Sequence, residues 1–267
     1  MRIEDFDYDL PERLIAQTPS GERDRCRLMV LNRADDTIEH KSFRDVLKHL
    51  RPGDCMVLND SRVIPARLFG KKEKTGAGVE FLLSRRLEGN IWETLVRPGK
   101  RLKPGDVVNF GDGKLKAEII DYGDDGTRHV RFFYDGIFME RLEELGRMPL
   151  PPYITRESTE KDREMYQTVY ARTDGSVAAP TAGLHFTEEL LKEVESKGVK
   201  IAYVTLHVGI GTFRPVKCDN IEDHEMHFEE YSISGSAADT INSAIERGDR
   251  IISVGTTSAR TLESAAY

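Results

Sequence analysis

The chain has 267 residues, of which 39% are hydrophobic and 32% are charged, and its formal net charge is −7. A chain of this size buries a substantial core, and it contains no apolar run near the roughly 18 residues that a membrane span needs. The acidic amino-terminal stretch lacks the apolar segment of a signal peptide, so we expect a cytoplasmic protein. Three cysteines without CxxC spacing argue against a disulfide framework.

The charge is unevenly distributed along the chain. From Arg62 to Lys116 there are 13 Lys and Arg against 6 Asp and Glu, a local excess of +7, so the remainder carries about −14. Such a division is typical of a basic lobe for nucleic acid on an acidic body. A solvated strand face explains it almost as well.

The first part of the chain reads as the beginning of an α/β domain. Pro11 opens a short helical pattern over 12–17, and 27–33 follows as a strand. An amphipathic helix over 42–50 then leads through a Pro-Gly turn into the apolar strand 55–59. Strand, helix and strand in this order indicate an α/β fold.

After Arg62 the sequence pattern changes to short runs of β-forming residues, separated by turn-forming segments such as KPGD and GDDG. Five strands are predicted, at 79–86, 91–98, 106–110, 115–122 and 128–134. Their spacing favours a small barrel or sandwich. A helical run at 138–146 and a proline-dense crossing follow. We therefore expect a main α/β domain formed by 1–62 and 151–267, with a β-domain inserted at 63–150.

The last part alternates helices and strands again. Thr187 can cap a helix that has Glu188 and Glu189 in its first turn and ends at Gly198. A buried-type strand at 199–206 and a helix at 236–247 follow, and 250–267 repeats strand, polar turn and helix.

Polar loops at the carboxyl ends of strands are where α/β folds place their ligands. We expect the loops Thr181–Phe186, His207–Phe213 and Gly255–Arg260 to converge on one cleft. Gly209 and Gly211 would allow a ligand close to the backbone, although both can also serve only to make a turn. Backbone N–H groups before the helix at Thr257 suit an anionic group.

Histidines in these loops are candidates for proton transfer near neutral pH, and His185 and His207 are flanked by apolar residues. Each can also be structural. The spacing of His224 and His227 resembles a metal cluster, but no third imidazole or thiolate lies nearby, so no metal is expected. His227 or Glu229 suits acid/base chemistry better than zinc.

Three further groups of charged residues complete the candidates. Arg260 can bind a carboxylate or phosphate, or it can form a surface ion pair. Asp60 and Arg62 follow strand 55–59 and should face the groove between the domains. A basic hairpin near Trp92, itself expected in the core, suits RNA; it contains Arg97, Lys100, Arg101 and Lys103.

Eight segments together resemble one enzyme family, the S-adenosylmethionine:tRNA ribosyltransferase-isomerases of queuosine biosynthesis. They are LPERLIAQTP, GDCMVLNDSRVIPARLFG, MPLPPYI, YQTVYAR, APTAGLHFTEELL, VTLHVGIGTFRPV, HEMHFEEY and VGTTSARTLES. The resemblance extends over the whole chain. It implies an α/β main domain with a mixed, barrel-like sheet that carries an inserted small antiparallel β-barrel.

The resemblance also implies a reaction. The ribosyl part of S-adenosylmethionine, a co-substrate, would be transferred to 7-aminomethyl-7-deazaguanine at the tRNA wobble position and isomerised, giving epoxyqueuosine with release of adenine and methionine. This chemistry needs a base and a methionyl anchor but no metal or prosthetic group. The protein is expected to act as a monomer.

On the matching positions, His207 or His185 would transfer protons, with His227 and Glu229 as the competing pair. Arg260, Thr256 and Thr257 would bind the methionyl end of S-adenosylmethionine. The remaining substrate-binding candidates are Asp60, Thr181, Gly183, Gly209, Gly211 and Thr212, and Arg62 joins the four basic residues of the hairpin as a tRNA contact.

The sequence departs from the family pattern in three places. Cys26 stands where serine is common, and Ala259 stands where valine is common. The family also continues for tens of residues beyond the position of Tyr267, so its carboxyl-terminal segment is expected to be absent here.

Two other functions fit parts of the sequence. An S-adenosylmethionine-dependent RNA methyltransferase would use the same co-substrate, but HVGIGTF lacks the acidic residue and GxGxG turn of its usual first motif. A non-catalytic tRNA-binding module would use the basic β-domain alone, with salt-sensitive binding.

Overall fold

The computed structural model describes residues 1–213, 215–216 and 218–266. Its first strands are β1 (Arg27–Asn32), β2 (Thr37–Ser42), β3 (Cys55–Asn59) and β4 (Ser61–Val63). β1 and β2 form an antiparallel hairpin, of which the sequence pattern predicts only the first strand.

The two helices predicted in this part are wrong in type, because both are short 3-10 helices, at Glu12–Leu14 and Phe43–His49. Thr18-Pro19 follows the first one closely, and a residue before proline disfavours the α conformation. The second has a capping box at Ser42 and Asp45 but only seven residues before the next turn. Helices this short gain little from α-helical propagation.

The inserted domain is a closed antiparallel barrel of six strands, in the order β10-β7-β6-β5-β8-β9. The strands are β5 (Arg67–Lys72), β6 (Gly78–Glu88), β7 (Ile91–Arg97), β8 (Val107–Phe110), β9 (Leu115–Tyr122) and β10 (Thr127–Phe133). Five of them are predicted from the sequence. The pattern misses β5 because its glycine and paired lysines resemble a turn.

The barrel is followed by α1 (Phe138–Leu145), whose Leu142 belongs to the hydrophobic cluster of the barrel. The main domain then continues with α2 (Glu160–Met165), β11 (Thr173–Ser176), α3 (Glu188–Ser196), β12 (Lys200–Leu206), β13 (Tyr231–Ile233), α4 (Gly235–Glu246), β14 (Ile251–Ser253) and α5 (Gly255–Ala265). The Thr187 side chain accepts a hydrogen bond from the Leu190 N–H, which confirms the predicted cap of α3.

The main sheet has the order β13-β12-β3-β14, with β12 and β14 parallel to β3 and β13 antiparallel to β12. Every residue of β3 is buried. Met56 and Leu58 pack against α3, whereas Cys55 and Val57 pack against α4. A mixed sheet covered on both faces, together with the inserted antiparallel barrel, confirms the predicted fold class.

The chain leaves for the barrel after β4, which pairs in parallel with β11 of the main domain. An isolated antiparallel bridge joins Arg67 to Arg147, near the point at which the chain returns. Val177 and Ile210 of the main domain join the hydrophobic cluster of the barrel. We retain 63 and 150 as proposed limits of the insertion. None of the described helices combines the length and apolarity required to cross a membrane.

Candidate active site

The loops that follow β3, β12 and β14 emerge from the same edge of the sheet, because these three strands run in parallel. Asp60 follows β3, His207 follows β12, and Thr256 lies in the first turn of α5, after β14. This is the edge at which α/β sheets bind their ligands.

A cleft of about 340 Å³ lies at this edge. Four of the predicted substrate-binding residues line it, namely Thr181, Thr212, Thr256 and Thr257. The other lining residues are Pro151, Pro152, Tyr153, Tyr166, Ala178, Ala179, Pro180, Ala182, Val208, Phe213 and Gly255. The wall is therefore mainly apolar, with hydroxyl groups supplied by two 3-10 helices, Thr181–His185 and Ile210–Phe213, and by the first turn of α5. The loop predicted at Gly255–Arg260 is wrong, because α5 already begins at Gly255.

Glu229 connects the segment that follows β12 to helix α5. Its carboxylate accepts a hydrogen bond from the backbone N–H of Gly209 at 3.1 Å and forms an ion pair with the guanidinium of Arg260. The same guanidinium donates to the backbone carbonyl of His227. The Glu229 and Arg260 side chains are 11% and 30% exposed, so this is a partly buried ion pair rather than a surface one.

Gly209 and Gly211, the two glycines predicted to lie close to a ligand, have different surroundings. A Cβ on Gly211 would lie 2.3 Å from Cδ2 of His227, so the absence of a side chain lets the imidazole pack on the backbone. A Cβ on Gly209 would meet no atom within 4 Å. Gly211 therefore positions His227, whereas Gly209 leaves space beside the loop.

His207 is half-buried, and its Nδ1 has no hydrogen-bond partner among the described residues. Burial lowers the pKa of the imidazole, and the carboxylates of Glu230, Asp60 and Asp174 oppose this effect in part. Gly175 has φ +143°, and a Cβ there would lie 2.9 Å from the ring. The imidazole is therefore neutral near pH 7. Any side chain at position 175 would both strain the backbone, because of the positive φ, and collide with the imidazole.

Two predicted residues have roles in packing. Asp60 is 7% exposed, accepts a hydrogen bond from Thr205 Oγ1 at 2.7 Å and lies 3.2 Å from Arg172 Nη2. The ring of His185 lies 5.1 Å from that of Phe43, measured between centroids. Both contacts are structural, so a role in binding or catalysis for either residue remains a prediction.

Gly183 also has a packing role, because a Cβ there would lie 2.0 Å from the Tyr170 hydroxyl. It is buried beside Thr181, in the 3-10 helix Thr181–His185.

The basic segment of the barrel is not a hairpin, which corrects the sequence prediction. β7 and β8 are not neighbours in the barrel, so the chain between them crosses over one end. Arg128 fixes this crossing by donating to the carbonyls of Gly99 and Leu102. All four predicted cations are exposed, namely Arg97, Lys100, Arg101 and Lys103.

Trp92 and Arg62 differ from each other in burial. Trp92 is 7% exposed and lies in the barrel core, as predicted. Arg62 is exposed and lies 3.7 Å from a carboxylate oxygen of Asp174.

The sequence matches the model of the family described as queuosine biosynthesis protein over residues 3–267. The chain belongs to this family. Curated proteins named S-adenosylmethionine:tRNA ribosyltransferase-isomerase from Staphylococcus aureus strain JH9 and Clostridioides difficile strain 630 are each 58% identical to it. Each comparison covers 99% of this chain and 77% of the relative.

A solved structure of the Thermotoga maritima S-adenosylmethionine tRNA ribosyltransferase is 39% identical to the chain, with a TM-score of 0.46. The comparison covers 98% of this chain and 72% of that protein.

This member of the queuosine biosynthesis family has features at its cleft that the sequence alone does not indicate. Tyr153 and Tyr166 line the cleft, and Gly175 packs against His207, which precedes the cleft residue Val208 but does not itself line the cleft. The proline-dense segment and YQTVYAR are visible in the sequence, but nothing in them shows that they fold against the loop at Pro180. Within the described residues, no three His, Cys, Asp or Glu side chains gather as a metal site would require.

Proposed function

We propose that this chain is an S-adenosylmethionine:tRNA ribosyltransferase-isomerase. It transfers the ribosyl moiety of S-adenosylmethionine to 7-aminomethyl-7-deazaguanine in tRNA and isomerises it, releasing adenine and methionine. The observation that carries the proposal is the 58% identity over 99% of the chain to proteins that bear this name. The cleft supports it, because about 340 Å³ is within the usual range for a small-molecule site.

The first chemical requirement is a base. The sulfonium of S-adenosylmethionine acidifies the C5′ protons, and removal of one by the base gives an ylide. The ylide opens the ribose ring with loss of adenine, which takes up a proton from a donor as it leaves. The amine of the tRNA base then attacks, and closure of the epoxide expels methionine. His207 suits the first step, because a neutral imidazole with an unpaired nitrogen can accept a proton. His185, His227 and Glu229 remain the other candidates.

The methionyl end and the adenosine end of S-adenosylmethionine require different contacts. Thr256, Thr257 and Arg260 form the proposed site for the methionyl end, at the first turns of α5. Arg260 already pairs with Glu229, so the methionyl carboxylate would share its guanidinium with that side chain. Thr181, Gly209, Gly211 and Thr212 would contact the adenosine, with Asp60 and Gly183 supporting the surrounding loops.

The barrel would hold the tRNA. Exposed cations on the crossing between β7 and β8 can neutralise the phosphates of the tRNA, and such contacts do not depend on the nucleotide sequence. The proposed contacts are Arg62, Arg97, Lys100, Arg101 and Lys103.

The test is to incubate the protein with S-adenosylmethionine and tRNA that carries the aminomethyl base, and to separate the small products by chromatography. The proposed activity gives free adenine that requires both substrates. S-adenosylhomocysteine would instead indicate a methyltransferase. Binding of tRNA without either product would indicate a binding module and contradict the proposal.

A further inference from the structure

Tyr166 is a buried residue of the cleft whose hydroxyl is unused. The residue is 8% exposed and lines the cleft together with Thr257. Its hydroxyl has no hydrogen-bond partner among the described residues, and the same holds for Thr257 Oγ1. A buried hydroxyl without a partner costs free energy that a ligand acceptor can recover.

The position of Tyr166 is fixed from both sides along the chain. Asp162, one turn earlier, forms two hydrogen bonds of 2.7 Å with the guanidinium of Arg156 and caps α2 at Thr159. Gln167, the next residue, pairs with the backbone of Val63 through both its amide atoms, at 3.0 and 2.7 Å. The phenol is therefore held in place although its own hydroxyl contributes no bond, which is the arrangement expected of a preorganised ligand contact.

The surroundings of the phenol indicate which part of a ligand it would meet. Pro151, Ala179 and Pro180 give this wall of the cleft an apolar surface. The methionyl end of S-adenosylmethionine carries two charges, which an apolar wall disfavours. The adenine ring is planar and uncharged and has nitrogen acceptors at its edge, so it suits a wall that combines apolar surface with one donor.

We propose that Tyr166 is a positioning residue that donates a hydrogen bond from its hydroxyl to a ring nitrogen of the adenine of bound S-adenosylmethionine. This inference rests on the proposed function, since it assumes that the cleft takes this co-substrate.

The protonation state of the phenol agrees with a donor role. Burial raises the pKa of Tyr166 to about 12, and the backbone N–H of Ala179, which can only donate to the phenol oxygen, offsets the rise in part and leaves the phenol proton free. The hydroxyl therefore keeps its proton throughout the neutral range.

The test uses Tyr166→Phe, which removes the hydroxyl and keeps the ring. Tyr170→Phe is the matched control, because Tyr170 is also 8% exposed but packs with Phe186 and Leu190 in the cluster beneath the sheet. Binding of S-adenosylmethionine is measured by calorimetry on the full chain, together with the melting temperature of the free protein and the KM for each substrate.

We expect Tyr166→Phe to raise the Kd and KM for S-adenosylmethionine about tenfold, as loss of one hydrogen bond predicts. The melting temperature should stay unchanged or rise, and the KM for tRNA should not change. Tyr170→Phe should bind within twofold of the parent protein.

Two results for Tyr166→Phe would overturn the inference. One is binding within twofold of the parent, and the other is a fall in melting temperature, which would mean that the hydroxyl has a structural partner. If the parent protein still releases adenine, the proposed function stands in either case. A parent protein that binds no S-adenosylmethionine would overturn both.

Discussion

The ion pair between Glu229 and Arg260 ties the segment before β13 to helix α5, and the same carboxylate holds the backbone N–H of Gly209. One side chain thus connects the segment that follows β12 to helix α5. Removing one partner would leave the other charge partly buried and unpaired.

We predict that Arg260→Met lowers the free energy of unfolding by roughly 1–3 kcal/mol, since it breaks a partly buried charged hydrogen bond. Lys48→Met is the control, because Lys48 pairs with Asp45 at the surface, where its side chain is 71% exposed. That change should cost under about 1 kcal/mol. Urea unfolding of the two variants measures the difference, and equal losses would contradict the buried character of the Glu229 pair.

His207 should titrate below its ordinary value of 6.5, because burial disfavours the charged imidazole. The unfolded chain then binds a proton more readily than the folded protein, so this group's contribution to stability is present above pH 6.5 and is lost as the pH falls. If His207 is the base, adenine release rises with pH through the lowered pKa and passes half of its maximum below pH 6.5. NMR titration of the ring tests the first statement, and a His207 pKa above 6.5 would refute it.

Gly175→Ala should displace the His207 ring, since the new Cβ would lie 2.9 Å from it. If His207 is the base, we expect a loss of turnover of about 10- to 100-fold, the usual effect of a small misplacement of a reacting group. Gly248→Ala is the control, because Gly248 also has a positive φ, +75°, but a Cβ there meets no atom within 4 Å. If both variants lose turnover equally, the contact with His207 has no special role.

The ionised carboxylate of Asp162 makes the free energy of unfolding depend on pH in the acid range. Hydrogen bonds from Arg156 lower the pKa of this buried carboxyl from 3.8 to about 2. Its contribution of about 2 kcal/mol is therefore present above pH 4 and is lost as the pH falls toward 2. Asp162→Asn should be less stable than the parent at pH 7, and the gap should narrow at pH 2.5. A gap that stays constant in urea titrations across this range would contradict the assignment.

The exposed cations of the barrel crossing should contribute to tRNA binding through phosphates. We predict that the double variant Lys100→Gln/Arg101→Gln weakens tRNA binding. The plot of log affinity against log salt should become flatter by about 0.7–0.9 for each phosphate that is no longer neutralised. Lys192→Gln on α3, also exposed, is the control. An unchanged slope in the double variant would exclude these two residues from phosphate binding.

Local signals account for the parts of the fold that the sequence predicts. The cap at Thr187 and the apolar pattern of β12 are encoded by neighbouring residues, and the parallel order of β3, β12 and β14 then brings the segments that follow these strands together. Belonging to the queuosine biosynthesis family is likewise confirmed.

The remaining features depend on contacts between segments far apart in the chain. Gly175 packs against His207, which lies 32 residues later in the chain. Tyr166 is held at the cleft because the next residue, Gln167, forms hydrogen bonds with Val63 on the other side of the inserted domain. No periodicity or motif near Tyr166 indicates a contact with a distant segment of the chain. The hairpin predicted between β7 and β8 is wrong for the same reason, since turn residues show where a strand ends but not which strand it pairs with.

The most direct test of the proposed activity follows the ribose itself. S-adenosylmethionine labelled with carbon-13 throughout its ribose is incubated with the protein and tRNA bearing the aminomethyl base, and the digested tRNA is analysed by mass spectrometry. Transfer and isomerisation of the ribosyl group predict that all of the labelled ribose carbons appear in the modified nucleoside. A modified nucleoside without the label, or a tRNA base that keeps its free amine, would contradict the account.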